Sequence, residues 1–285
     1  MIPAAFDYHA PTSLDEALRL LGSAGDAEVK VLAGGQSLIP VMRLRLAAPE
    51  TVVDLGKIDQ LRGIREDGDA LVIGAMTPHA DVASNPLVHK HARVLSQTAL
   101  TVADPQVRHR GTFGGSLVHA DPAGDMPAPA LALDAEFVIA GSNGIRTVSA
   151  DDFFQDMFTT AVGEDEILVE VRVPKYTGWG GHYEKFTRVA QQWSIVAVAA
   201  AVRVDGGNIA EARIGLTNMG STPIRARAVE QALAGQPASA DAVRAAAAHA
   251  AEGTNPPSDT NGDADYRRHL ASVLTGRAVL AAAGA

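Results

Sequence analysis

The sequence contains no cysteine in 285 residues. That excludes disulfides, thiolate catalysis and any iron–sulfur cluster ligated by this chain alone. It also lacks a basic surplus, since 24 Lys and Arg stand against 33 Asp and Glu for a formal net charge of −9. Nucleic acid and anionic membrane reward a basic surface, so neither is expected as the main partner. No apolar run reaches the roughly 20 residues that span a bilayer. Met1-Ile2-Pro3-Ala4-Ala5-Phe6-Asp7 lacks the charged-then-apolar pattern of a secretory signal, and a cytoplasmic location is expected. Asp15-Glu16 and Glu164-Asp165-Glu166 read as helix-start or solvated charges, not as a paired acid–base site. No Ser-His-Asp spacing suggests a nucleophile.

What is present suffices for a core. At 47% hydrophobic residues, the chain can build two modest domains or one large one. Phe6 to Pro11 reads as an extended lead-in. Ser13-Leu14-Asp15-Glu16 is a capping box, opening a helix with Leu14, Ala17, Leu18 and Leu21 on its apolar face. A strand from Val29 to Leu32, a helix from Leu38 to Leu46 and a strand from Thr51 to Leu55 predict a small unit with a parallel crossover.

Ile64 to Met76 predicts a hairpin turning at Asp67-Gly68-Asp69. Thr77-Pro78 opens a short helix, and His89 to Val102 forms another. Asp104 to Pro129 reads as a long irregular loop rich in Gly, Pro and Asp, a length usually reserved for function. Strands are predicted at Glu136 to Ala140, Thr147-Val148 and Ile167 to Val173, and Pro174 with Gly178-Trp179-Gly180-Gly181 marks a domain boundary. Beyond it, His182 to Arg188, Ser194 to Val204 and Ile209 to Thr217 predict a three-stranded antiparallel sheet. Helices at Ala226 to Leu233, Asp241 to Glu252 and Tyr266 to Leu280 cover one side, with a polar loop at Thr254 to Gly262.

Two glycine turns carry the candidate chemistry. In Val31-Leu32-Ala33-Gly34-Gly35-Gln36-Ser37-Leu38, a strand breaks at two glycines and Ser37 is a candidate N-cap. Backbone N–H groups at such a turn can meet phosphate, although the same pattern also describes a plain tight turn. The second is Arg110-Gly111-Thr112-Phe113-Gly114-Gly115-Ser116, where Thr112 and Ser116 add hydroxyls. Two such turns can clamp a pyrophosphate from both sides, as a dinucleotide requires.

At these residues the chain resembles the FAD-binding medium subunit of the molybdenum hydroxylases, the carbon monoxide dehydrogenase and xanthine dehydrogenase superfamily. Gln106-Val107-Arg108-His109-Arg110, His119-Ala120-Asp121-Pro122-Ala123-Gly124-Asp125 and the strand-rich C-terminal third fit as well, so the resemblance covers essentially the whole chain. It implies an α+β fold: a two-subdomain FAD-binding domain of the PCMH type at 1–176, divided near residue 56, then a small sheet with helices at 177–285. It further implies that Lys30, Val31, Leu32, Ala33, Gly34, Gly35, Gln36, Ser37 and Leu38 wrap the pyrophosphate and ribityl region. Gly111, Thr112, Gly114, Gly115 and Ser116 would grip the other side, with Val118 nearby. By the same resemblance Asp125 reaches the adenosine end, Val102 packs near the flavin rings, Leu168 lines the adenine and Lys185 approaches the isoalloxazine.

The chemistry then belongs to FAD. The resemblance puts 2Fe-2S clusters on a small partner subunit and a molybdenum–pterin cofactor on a large one, in a dimer of heterotrimers that meets the inner face of the membrane, if at all, through the complex. Electrons would pass from the clusters to this flavin and on to quinone, NAD or oxygen. The overall character leans toward carbon monoxide dehydrogenase, with aldehyde, xanthine and N-heterocycle dehydrogenases as alternatives, and a stand-alone FAD oxidase or a scaffolding protein as rivals. Other residues take plainer readings. His119, Asp121 and Asp125 have metal-ligand types, but no metal is expected in that loop. Arg108-His109-Arg110 reads as a solvated cluster or a phosphate or partner contact, His89-Lys90-His91 as surface, and Trp193 as core.

Overall fold

The structure is a computed structural model that describes residues 2–23, 25 and 27–285. The chain begins with β1 (Asp7–His9), α1 (Leu14–Gly22), β2 (Val29–Leu32), α2 (Leu38–Arg43) and β3 (Thr51–Asp54). The three strands form a parallel sheet in the order β1-β3-β2, so β2-α2-β3 is the expected crossover. Ser13 caps α1 as expected: Glu16 N–H donates to Ser13 Oγ at 3.2 Å, and the Glu16 carboxylate reaches one residue past the cap to accept from Thr12 N–H at 3.0 Å.

A second sheet uses β4 (Ile64–Asp67) and β5 (Ala70–Gly74), the predicted hairpin, with Gly68 in the left-handed region at φ 55°. Then come α3 (His79–Ser84), α4 (Pro86–His91), α5 (Arg93–Thr101), α6 (Pro105–Arg110), α7 (Phe113–His119) and α8 (Pro127–Ala132). The expected single helix from His89 is therefore two, broken at Ala92. The expected irregular loop contains three short helices. Pro105, Pro127 and Pro129 sit in the first turns of α6 and α8, where no N–H is needed, and Asp104 and Thr112 cap α6 and α7. The helix breakers in this segment punctuate helices and do not abolish them.

After α8 come β6 (Glu136–Gly141), β7 (Gly144–Ser149), α9 (Ala150–Phe153), β8 (Phe154–Asp156), β9 (Thr159–Thr160) and β10 (Ile167–Pro174). The second sheet runs β4-β5-β10-β6-β7, antiparallel throughout. The third contains β11 (Gly180–Phe186), β12 (Val196–Asp205), β13 (Asn208–Thr217) and β14 (Ile224–Arg225). The two-residue β14 adds a short fourth strand to the three expected. Helices α10 (Arg227–Leu233), α11 (Ala240–Ala247) and α12 (Ala264–Ala283) complete the chain.

Strand β12 joins two cores. Its side chains alternate faces. Ala197, Ala199 and Ala201 belong to the core containing Leu117, Phe137 and Leu168, while Val196, Val198, Ala200 and Val202 belong to the core built on α10 to α12. Alanine on the first face permits close approach by α5 and α8. Glycine does the same where backbones nearly touch: a Cβ on Gly215 would lie 2.2 Å from the Ala128 carbonyl oxygen. The C-terminal sheet is thus pressed against α5 and α8, the helices that flank the segment carrying the second glycine turn.

Candidate functional site

The two glycine turns lie side by side. A Cβ on Gly34 would sit 2.2 Å from the Arg110 carbonyl oxygen and 2.6 Å from Gly111 Cα, and one on Gly115 would meet the Ala33 methyl at 3.1 Å. These glycines are needed so that one turn can seat on the other. They form a continuous surface, not two jaws separated by a gap.

Their backbone donors differ. The N–H groups of Gly35, Gln36, Ser37 and Leu38 find no acceptor among the described residues, because the hydrogen bonds of this segment begin at Ile39 N–H to Gly35 O, 3.2 Å. Ser37 occupies the position before α2, but its hydroxyl makes no cap hydrogen bond. The second turn is the reverse. Gly111 N–H donates to Val107 O, Phe113 N–H to Thr77 O, Gly114 N–H to Ala75 O and Ser116 N–H to Thr112 O. Gly115 N–H donates to Thr112 Oγ1 at 3.1 Å. The expectation that both turns offer backbone donors holds for the first alone. The second is bound to the strand β5 side of the fold; Thr112 is buried with its hydroxyl capping Gly115, and the half-buried Ser116 hydroxyl is what the turn can present.

Beneath the second turn lies His79, which sequence reasoning missed. Its backbone N–H donates to Gly111 O at 2.9 Å, and its ring lies 3.1 Å from where a Gly111 Cβ would be. The side chain is buried with Nδ1 unpaired. Burial, assisted by the positive charge of Arg108, depresses its pKa to about 4, so the ring is neutral at ordinary pH. A His following Thr-Pro carries no signal of this in the sequence.

A second cluster joins residues far apart in the chain. Asp125 is 6% exposed and receives three donors: Lys185 Nζ at 2.7 Å, Ser194 Oγ at 2.8 Å and Tyr183 Oη at 2.9 Å. Lys185 Nζ also donates to Thr101 O at 3.3 Å, at the end of α5. The next residue, Val102, is half-buried, and its carbonyl accepts from Arg108 Nη1 at 2.8 Å. Lys185, Val102, Asp125 and Arg108 therefore meet around one helix terminus. Burial, then the Asp125 charge, raises the Tyr183 hydroxyl well above its ordinary pKa, so it remains a donor.

The resemblance sends Asp125 to the adenosine end of FAD and Lys185 to the isoalloxazine. In the fold the two side chains form a direct ion pair, 2.7 Å from Lys185 Nζ to Asp125 Oδ2. The remaining expected residues are spread over β2, α7 and β10. Lys30 is exposed on β2, 3.7 Å from Glu28, and Val31, Leu32 and Ala33 are half-buried beside it. Gln36 Nε2 donates to Gly34 O at 3.2 Å. Val118 packs from α7 onto the large core, and Leu168 lies inside that core at a bulge in β10.

Two plainer readings change, those of His91 as surface and Trp193 as core. Arg108, His109 and Arg110 form the last turn of α6 beside the first glycine turn. His91 is buried, with Nδ1 2.6 Å from Thr177 Oγ1 and Nε2 2.8 Å from the Glu66 carboxylate. Its inward position comes from the break at Ala92, which periodicity does not reveal. Trp193 is 53% exposed, in the loop just before Ser194, and is not core. Among the described residues, no cluster of His, Cys, Asp and Glu could hold a metal ion.

Comparison with known proteins decides the family. Residues 4–176 match the FAD binding domain in molybdopterin dehydrogenase, and residues 181–282 match the CO dehydrogenase flavoprotein C-terminal domain. This chain belongs to the FAD-binding subunit family of the molybdopterin dehydrogenases. It is 44% identical over 285 residues to the carbon monoxide dehydrogenase medium chain of Hydrogenophaga pseudoflava, covering 99% of this chain and 98% of that one. The solved carbon monoxide dehydrogenase of the same organism superposes with TM-score 0.95 at 46% identity, over 99% of this chain and 98% of that chain. Quinoline 2-oxidoreductase of Pseudomonas putida 86 superposes nearly as well, with TM-score 0.94 at 35% identity over 100% and 99% of the two chains. Members of this family are flavoprotein subunits of multisubunit oxidoreductases.

The residues present fit FAD. Consecutive unpaired N–H groups at 35–38 with the Ser37 hydroxyl are the donor chemistry that a pyrophosphate takes. The α6 cations stand beside them.

Proposed function

We propose that this chain is the FAD-carrying electron-transfer subunit of a molybdenum-containing carbon monoxide dehydrogenase. Residues 1–176 would hold the cofactor, and residues 177–285 would complete its site through Lys185. The observation that carries the reading is the run of four N–H donors at Gly35, Gln36, Ser37 and Leu38, seated against the second motif. Lys30 to Leu38 would bind the pyrophosphate and ribityl region, and Gly111 to Ser116 would support it from beneath, with Val118 and Leu168 forming the apolar wall behind. FAD, once bound, supplies the ability to accept electrons singly and release them singly or in pairs.

Lys185 would face the isoalloxazine from beside Val102, where an ammonium favours negative charge on the reduced ring. Asp125 would act through Lys185 at that same end, fixing the ammonium by a buried ion pair. With no cysteine, the chain supplies no thiolate ligand for an iron–sulfur cluster. A small iron–sulfur subunit would deliver the electrons, and a large subunit would hold molybdenum with its pterin, the whole assembling as a dimer of heterotrimers in the cytoplasm. Quinone, NAD or oxygen would serve as the external acceptor.

Carbon monoxide as substrate rests on the 44% identity over nearly full length. A second reading, an N-heterocycle dehydrogenase, is favoured by the almost equal superposition on quinoline 2-oxidoreductase. The medium subunit's fold does not distinguish substrates that react on another subunit. The test is purification of the tagged chain with its partners from its own host, with flavin extraction and assay of the product. Near-stoichiometric FAD and carbon monoxide-dependent dye reduction are expected. A complex without flavin would overturn the cofactor assignment, and one that oxidises quinoline but not carbon monoxide would overturn the substrate.

A further inference from the structure

The 187–195 loop between β11 and β12 carries Ser194, which holds Asp125, and continues directly from the strand of Lys185. It contains Gln191 at φ 66°, a conformation that a non-glycine residue keeps only where the surroundings hold it. Those surroundings come from the C-terminal polar loop. Asn261 Oδ1 accepts from Arg188 Nη2 at 2.6 Å and from Gln192 Nε2 at 3.1 Å. Within the loop, Arg188 N–H donates to Gln192 Oε1 at 2.9 Å.

The inner end is held from α12. Arg267 is fully buried, donating from Nη1 to Ile195 O and from Nη2 to Asp259 Oδ1 at 2.7 Å. Asn218 Nδ2 adds bonds to Ser194 O at 2.9 Å and Ile195 O at 3.2 Å. Asp259 Oδ1 in turn accepts from Asn261 N–H at 2.7 Å, so the two braces are joined through one carboxylate. A buried guanidinium is costly unless its donors are paired, and its planar fork suits two acceptors at once. Core packing alone would be served better by an apolar residue at position 267.

We propose that Asn261 and Arg267 are positioning residues that hold the 187–195 loop and, through Ser194 and Asp125, fix the Lys185 ammonium at the cofactor. What Lys185 faces rests on the FAD reading above; the brace that holds the loop is built from the hydrogen bonds of this chain.

The test uses the intact complex and measures the rate of FAD release after dilution. Asn261→Ala removes the acceptor without touching a core, and is expected to speed release about threefold. Asn261→Asp keeps an acceptor oxygen and is expected to release at the wild-type rate. In a Lys185→Met background, Asn261→Ala is expected to add nothing, because the group that it positions is gone; a merely structural effect would multiply in both backgrounds. Arg267→Lys cannot span both acceptors and is expected to exceed Asn261→Ala. If that variant fails to fold, the Asn261 pair carries the test. Wild-type release from Asn261→Ala, loss in Asn261→Asp equal to that in Asn261→Ala, or a full multiplicative effect in Lys185→Met would each overturn the proposal. A wild-type complex without FAD would instead overturn the reading on which it rests.

Discussion

The two glycine turns look alike and behave differently. Ala33-Gly34-Gly35-Gln36-Ser37 projects backbone N–H groups with no acceptor among the described residues, while Thr112-Phe113-Gly114-Gly115-Ser116 commits nearly all of its own to Ala75, Thr77 and its own Thr112. The first turn is a donor surface and the second is its foundation. Glycine serves contact in both. At Gly34 and Gly115 it lets the turns touch, and at Gly114 it lets the second turn touch Ala75 at the end of β5. Sequence similarity between two glycine motifs therefore says little about which one meets a ligand. The fate of the N–H groups decides that.

This contrast can be broken by substitution. The largest effect is expected at Gly114→Ala, because a Cβ there would lie 2.5 to 2.7 Å from Ala75 backbone and methyl atoms that cannot swing aside. A loss of about 3 kcal/mol in urea unfolding is expected, with FAD lost as a consequence. Gly35→Ala provides the counterpart. It meets only the ends of flexible side chains, Ile39 nearest, but sits at φ 76°, so roughly 1–2 kcal/mol is expected.

The foundation should also be sensitive to acid. The folded pKa of His79, about 4, lies below the unfolded value of 6.5, so its neutral ring stabilises the fold above 6.5, and that contribution is lost as pH falls toward about 4. Between about pH 7.5 and pH 5 the loss attributable to His79 is roughly 2 kcal/mol. His79→Gln should flatten the wild-type decline over that window in denaturant titrations; an equally steep variant would show that other groups cause it.

Smaller effects sharpen the comparison. Thr112→Ala removes the cap on Gly115 N–H and should cost about 1 kcal/mol in thermal or urea unfolding. Ser37→Ala removes a hydroxyl that caps nothing and should change stability by less than about 0.5 kcal/mol. Its expected effect is on FAD retention, measured as flavin per chain after gel filtration. If Ser37→Ala destabilised the fold while Thr112→Ala weakened only FAD, the roles assigned to the two turns would be reversed.

Much of the fold is legible because its signals are local. The cap at Ser13, the hairpin turn at Asp67-Gly68 and the parallel crossover through α2 depend on residues a few positions apart. Segment 104–129 is not legible in the same way. There the prolines open α6 and α8 and Thr112 caps α7, and composition does not distinguish helix punctuation from irregular chain. The break at Ala92, which turns His91 inward to Glu66 and Thr177, also gives no periodic signal.

By itself, the sequence determined the family, the two glycine motifs and the exclusion of cluster chemistry, since these depend on residue identity and short spacing. Tertiary structure alone decided which turn keeps its donors, because that depends on acceptors at Ala75 and Thr77. It also decided that Asp125 and Lys185 pair with each other, and that Arg267 and Asn261 bond to the loop that carries Ser194. Those partners lie 60 to 73 positions apart. Burial leaves each charged or polar group to find whichever partner folding brings within reach, and no local pattern encodes that choice.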